Sequence, residues 1–314
     1  MAKRRRRRSI RKSPIIITVV ILLAVIGLLF FKYGEKLFDI SFFDKEEPTT
    51  ASGDEVQFHV IDVGQGDAIL ITTKDGNMLI DAGDLSNESQ DKLESYLKGQ
   101  GIKSFEYVVF THTDADHIGS GDIIINNYDV KTVIMPDYQA TTKVYGRLVD
   151  AIDKNGVDLI LIGEDKDCTQ SGYTFKLGPI THTVMAPTED FNDPNEMSVV
   201  IKSVYGETSL LLTGDAEHKS EEAMLEEYTR GELDVDILKA GHHGSSTSTT
   251  KEFFDEVTPE VALISCGEGN KYGHPHEETL DRFEEAEIEV YRTDIHGTIV
   301  IKTDGVTYTI ETEK

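Results

Sequence analysis

The chain reads as an α/β protein of the α+β kind, two β-sheets packed face to face with helices on the outside. Three observations predict this. Over residues 55–314, short apolar runs bounded by Gly, Asp and Asn alternate with helical stretches. The runs fall into two strand-rich halves, each closed by helices, and such halves bury their faces best as two layers. Several runs stop at a small residue followed at once by Asp or His, so polar groups collect beyond the strand ends.

Residues 1–14 form a basic tail carrying Lys3, Arg4 to Arg8, Arg11 and Lys12. Residues 15–31 contain no charge and are almost wholly Ile, Val, Leu and Phe. As a helix they span about 26 Å at ~1.5 Å per residue, the short end of a bilayer crossing. No small-x-small cleavage site lies close after Phe31, so the segment reads as an uncleaved single-pass anchor rather than a signal peptide. The positive-inside rule places the tail in the cytoplasm and the body outside the cell. Residues 32–54 read as a polar linker.

The body begins at Glu55. Val56 to Val63, Ala68 to Thr72 and Met78 to Asp81 read as strands, the last two joined by the Asp75-Gly76-Asn77 turn. Ser89 to Lys98 is helical, Tyr107 to Thr111 and Thr132 to Met135 are strands, and Thr142 to Asn155 is a helix. In the second half, Tyr173 to Leu177, Thr181 to Ala186, Ser198 to Val204 and Ser209 to Thr213 read as strands. Ser220 to Tyr228 and Thr249 to Glu256 are helices around a strand at Val235 to Ala240. Val261 to Ser265 is a strand, Glu277 to Glu285 a helix, and two last strands flank Asp304-Gly305.

The net charge of −26 is unevenly spread. Eight bases lie in residues 1–12, so the remaining 23 face all 57 acids, a net of −34. Such a body repels nucleic acid and anionic lipid unless a basic patch or bound cation reverses the field locally. Two cysteines, Cys168 and Cys266, exclude a disulfide framework and a thiolate zinc site, and leave open a single bridge.

The stretch Thr111-His112-Thr113-Asp114-Ala115-Asp116-His117-Ile118-Gly119 organises the rest. Within six residues it offers two imidazoles and two carboxylates just after an apolar run. Once buried, each would need its own partner, and a divalent cation supplies a shared one. Gly119 and Gly121 allow the backbone to turn tightly there. Three further runs end alike, at Asp81-Ala82-Gly83, at Thr213-Gly214-Asp215 and at Ala240-Gly241-His242-His243-Gly244-Ser245. His59 and His182 fall in strands and read as hydrogen-bonded core or edge residues, His218 and His296 as surface residues.

His112-Thr113-Asp114-Ala115-Asp116-His117 resembles the metal motif of the metallo-β-lactamase superfamily, with Asp at the second ligand position. Asp62-Val63-Gly64-Gln65-Gly66-Asp67, Asp81-Ala82-Gly83, Leu212-Thr213-Gly214-Asp215, His242-His243-Gly244-Ser245 and Gly273-His274-Pro275 extend the likeness to the soluble domain of ComEC-type competence proteins over residues 55–314. The resemblance implies an αββα sandwich holding two divalent ions, zinc or manganese, at the sheet edges. It implies that His112 and Asp114 hold one ion, that Asp116 and His117 hold the other, and that Asp215 bridges them. The last ligand falls at His242 or His243; His243 is the favoured ligand, leaving His242 to contact substrate or protonate a leaving group. Asp81 is expected to orient ligands from behind. Lys239, Ser245 and His274 are expected to contact a phosphate or leaving group. One departure stands out: a third histidine is expected where Asn195-Glu196-Met197-Ser198 occurs.

Two such cations acidify a water and neutralise charge on the attacked ester, with Asp116 orienting the nucleophile or accepting its proton. The expected function is therefore a membrane-anchored, extracellular metal-dependent hydrolase of phosphodiesters, with DNA among the candidate substrates. The alternatives are a hydrolase of cell-wall phosphodiesters or small esters, and a surface-anchored binding module that has lost catalysis.

Overall fold

The computed structural model describes residues 55–163 and 168–314. The expected basic tail, membrane span and linker lie outside the described residues, among which no helix is long and apolar enough to cross a membrane. β1 (Val56–Val60), β2 (Ile69–Thr73), β3 (Gly76–Ile80), β4 (Ser104–Val109), β5 (Asp129–Pro136), β6 (Asp158–Ile162), β14 (Ile299–Thr303) and β15 (Tyr308–Thr312) form one sheet, in the order β15-β14-β1-β2-β3-β4-β5-β6. β7 (Thr174–Leu177), β8 (Ile180–Ala186), β9 (Val200–Tyr205), β10 (Thr208–Leu212), β11 (Ile237–Lys239), β12 (Val261–Ile264) and β13 (Glu289–Arg292) form the other, in the order β13-β12-β11-β10-β9-β8-β7.

Side-chain alternation along these strands builds three apolar layers. Ile69 and Ile71 of β2, Met78 and Ile80 of β3, Leu210 and Leu212 of β10, and Val261 and Leu263 of β12 meet between the sheets. Leu70 and Leu79 face outward, where Leu93, Leu97, Ile124 and Leu148 seat the helices Asn87–Gly99, Gly121–Asn127 and Lys143–Asn155. Leu211, Ala262 and Ile264 do the same on the opposite side against Met224, Phe253 and Phe283 of the helices His218–Glu227, Lys251–Val257 and Glu277–Glu285. The layers are therefore helix, sheet, sheet, helix.

Topology gathers the loops that matter. β3 and β4 run parallel, as do β10 and β11, so the loops after all four leave from carboxyl ends. Ile69 of β2 lies opposite Ile80 of β3 in an antiparallel pair, which brings the loop before β2 to the same edge. The sheets are tied there by Val199 N–H donating to Thr111 O at 2.7 Å.

Some expectations change. The strand from Val56 stops at Val60, because Asp62 turns the chain by accepting from Gly64 N–H at 3.1 Å. β6 and β13, and the short helices Ala115–Ile118 and Gly121–Asn127, are additional. Gly119 is helical, with φ −54°, so it makes no tight turn. It is there for close approach: a Cβ at Gly119 would lie 2.4 Å from Gly83 O. Cys168 and Cys266 are not joined in a disulfide.

His59 and His182 are buried and hydrogen-bonded, His59 to Tyr96 Oη and His182 to Ser203 Oγ, each at 2.8 Å. Burial lowers the pKa of His182 from 6.5 to about 3. The folded state therefore holds it neutral, and the stability this contributes is complete above pH 6.5 and lost as pH falls toward 3. Between pH 7 and pH 5 the loss from this one residue is about 2 kcal/mol. Urea unfolding at the two pH values should show the His182→Gln variant losing less stability than wild type by about that amount; equal losses would mean that His182 does not titrate across the transition.

Candidate metal centre

Each functional side chain is delivered by a strand end and fixed by a second residue. Asp81 follows β3 with a left-handed backbone, φ +60°, and is fully buried. Its carboxylate accepts from Thr111 N–H at 2.8 Å and Thr111 Oγ–H at 2.6 Å, and its Oδ2 lies 2.7 Å from His117 Nδ1. Main-chain bonds lock the two loops together: Ala82 N–H donates to His117 O at 2.6 Å and Gly119 N–H to Gly83 O at 2.9 Å. Gly66 (φ +115°) packs so closely that a Cβ there would sit 2.2 Å from Asp116 O.

The histidines share one design. Nδ1 of His117 meets Asp81, Nδ1 of His243 lies 2.9 Å from Ser265 O and 3.4 Å from Asp67 Oδ1, and Nδ1 of His242 lies 2.8 Å from Glu217 Oε1. Nε2 is thereby left facing a common point. Asp215 Oδ1 is 3.2 Å from His117 Nε2, and its Oδ2 is 3.5 Å from His243 Nε2, 3.7 Å from His242 Nε2 and 4.0 Å from His112 Nε2. Asp116 Oδ2 is 3.4 Å from His243 Nε2. His242 and His243 are both left-handed, at φ 46° and 56°, a strained pairing that aims both rings.

Charge is concentrated here. Burial works against ionising Asp215, but His117 and His243 hold its carboxyl well below the usual range. Burial likewise opposes a charged His243, yet Asp215, Asp116 and Asp67 raise it to about 9. His117 is raised well above its ordinary value against burial, by Asp215 and Asp81. His112 moves the other way, to about 3, through burial and the neighbouring His117. Without a cation, protons on His117 and His243 balance the carboxylates; a divalent ion would replace them.

The residues fit such an ion. Nε2 of His112, His117 and His243 and Oδ1 of Asp215 are buried and make no well-formed hydrogen bond, only the looser charge contacts around Asp215. Buried polar atoms seldom go unmatched, and imidazole with carboxylate suits zinc or manganese. Asp67, His117, Asp215 and His243 offer ligand atoms all within 4.8 Å of one another. Asp67 nonetheless belongs behind the ligands, because it touches His243 on the Nδ1 side and its Oδ2 lies 2.6 Å from Lys239 Nζ.

Asp67 is the residue that sequence reading missed, although Gly64-Gln65-Gly66-Asp67 carries the signal of a lone acid entering an apolar strand. Lys239 is a correction. It is fully buried and pairs with Asp67, donates to Gly214 O at 2.9 Å and lies 3.9 Å from Asp215, so it cannot touch substrate. Burial opposes its charge, but Asp67 and Asp215 outweigh burial and hold the ammonium above its ordinary range. Ser245 is buried, with its hydroxyl 2.9 Å from Thr247 Oγ1 in its own turn. Asp114 is exposed at the rim as the N-cap of Ala115–Ile118, near enough to His117 and Asp215 for their charges to act on its carboxyl. Burial of its carboxyl and the like charge of Asp116 raise its pKa. His274 lies beside the cluster, its ring 5.3 Å from His242 and 6.1 Å from His243. Where a third histidine was expected, Glu196 is buried and accepts from Ser220 N–H at 2.8 Å, at the start of the helix His218–Glu227.

Residues 61–268 match the metallo-beta-lactamase superfamily, and the chain belongs to it. It is 30% identical over 269 residues to ComE operon protein 3 of Bacillus subtilis (strain 168), covering 80% of this chain and 33% of that protein. It is 29% identical over 253 residues to competence protein ComA of Neisseria gonorrhoeae, again covering 80% and 33%. The chain thus spans about a third of the length of these relatives, and the resemblance read from the six motifs is borne out. A solved diphosphatase from the PhnP family is 15% identical with a TM-score of 0.43, covering 76% of this chain and 94% of that one.

Lys239→Met should cost about 3–5 kcal/mol of unfolding free energy, since Asp67 and Asp215 are left buried without their counter-charge. Denaturation in the presence of a chelator measures it, and adding Asp67→Asn should recover part of the loss. A cost below about 1 kcal/mol would mean that the pair is not what neutralises this floor.

Proposed function

We propose that the protein is a metal-dependent phosphodiesterase anchored by residues 15–31 with its body outside the cell. The observation that carries the catalytic part is the convergence of Nε2 atoms and Asp215 on one buried point, each fixed from behind. His112 and Asp114 would hold one ion, Asp116, His117 and His243 the other, with Asp215 between them. Divalent cations there, zinc or manganese, supply the acidification of water and the neutralisation of charge on the attacked ester.

The chain's own groups do the rest. Asp116 is partly exposed; although burial raises its pKa, His243 and His117 more than offset this and hold it ionised, able to orient a water and take its proton. His242 keeps Nδ1 on Glu217 and presents Nε2 beside Asp215, where it can hand a proton to the departing oxygen. His274, pushed down to about 4 by burial and by His242 and His243, is neutral and can accept or donate one hydrogen bond to the ester. Kinship with proteins named for competence supports DNA as the substrate. The uncharged run after an arginine-rich tail supports the anchor.

The full chain, purified and loaded with manganese or zinc, should retain metal by elemental analysis and hydrolyse bis-p-nitrophenyl phosphate and DNA but not a β-lactam. Asp116→Asn should lower kcat by about 10²-fold or more. Metal retained with no turnover of any ester would leave the binding-module reading in its place. Protease added to intact cells should digest the body; protection would reverse the proposed topology.

A further inference from the structure

Beside Asp116 opens a cavity of about 440 Å³, lined also by Gln65, Asp84, Asn270, Lys271 and Tyr272. None of the catalytic roles above uses Tyr272. Its side chain is 49% exposed, unusual for a large aromatic ring. The ring is stacked on His274 at 5.7 Å and 21°, and His274 in turn reaches His242. A continuous line of rings therefore runs from the cluster to the solvent.

The loop that carries Tyr272 is held rigid from inside. Asn270 Nδ2 donates to Gly267 O at 3.0 Å and His274 O at 2.6 Å, while its Oδ1 accepts from Tyr272 N–H and His274 N–H, each at 3.1 Å. Lys271 Nζ lies 4.8 Å from the Tyr272 ring centroid, a contact weak enough at an exposed site for a stacking base to displace. The freed ammonium would then stand ready for a phosphate. Gln65 lines the same cavity, its amide Nε2 buried and without a hydrogen-bond partner. An exposed ring with a lysine ammonium on its face, beside an ester-cleaving centre, matches the base and the phosphate of one nucleotide.

Resting on the phosphodiesterase reading, we infer that Tyr272 is the platform on which an unpaired nucleobase beside the scissile phosphodiester stacks, so that the substrate is single-stranded nucleic acid. A duplex keeps its bases stacked inside and offers Tyr272 no face. Acids outnumber bases farther along: Asp62, Asp84, Glu88, Glu268 and Asp294 line the adjoining cavity of about 630 Å³ against Lys92 and Lys314. Backbone phosphates are unwelcome there, so the strand meets the site by its nucleotides nearest the cut.

The test compares the manganese-loaded full chain with its Tyr272→Ala and Tyr272→Trp variants on three substrates. These are a single-stranded oligonucleotide, a strand of the same length and backbone with abasic sugars, and bis-p-nitrophenyl phosphate. Wild type should favour the base-bearing strand. Tyr272→Ala should raise KM for it about tenfold or more while leaving kcat and the abasic strand nearly unchanged, and Tyr272→Trp should restore KM. Equal losses on both strands, or no preference in wild type, overturn the stacking role. Turnover of bis-p-nitrophenyl phosphate with neither strand cleaved overturns the inference but leaves the phosphodiesterase reading standing; no turnover of any substrate removes both.

Discussion

The bond on which everything else depends joins Asp81 to the loop after β4. One carboxylate takes an amide, a hydroxyl and an imidazole, all buried, and so fixes Thr111, His117 and the turn between them at once. It does so from a left-handed backbone position that β4 holds in place through Asp81 N–H donating to Val109 O at 2.8 Å. A histidine tethered in this way cannot rotate, so its Nε2 direction is a property of the sheet rather than of the side chain. His243 repeats the device with Ser265 and Asp67, and His242 with Glu217.

Electrostatics sets the second constraint. Asp67, Asp81 and Asp215 are all buried at one edge of the sandwich, which no protein interior tolerates without positive charge. Lys239 supplies a permanent cation from beneath, and the histidines supply exchangeable ones. The floor of the centre is thus neutralised by a group that never leaves, and its open side by groups whose protons a metal would displace.

Much of this was legible in the sequence, for reasons that differ by element. The layers followed from short continuous apolar runs such as Ile69 to Ile71 and Leu210 to Leu212, whose two faces are both apolar and buried. The clustering of His112, Asp116, His117, Asp215 and the histidine pair was legible because each follows a strand that ends at a small residue. What escaped depends on distance in space. Lys239 looks like a strand-end cation available to substrate until Asp67, far away in sequence, is found against it. Gly119 looks like a turn until its contact with Gly83 is seen. β6 and the helices Ala115–Ile118 and Gly121–Asn127 are short and carry weak local signals, and only packing decides them.

Glu196 carries an implication for how this centre could change. Its carboxylate grips the amides of Ser220 and, more loosely at 3.4 Å, Lys219 at the head of the helix His218–Glu227. Exchanging it for imidazole in search of one more ligand would leave those donors bare and loosen the same helix that Met224 anchors to the sheet. The missing histidine is therefore not a vacancy that one codon could refill. Any lineage, natural or engineered, that reclaims it must first find the helix another anchor, and that order of events is written into the backbone.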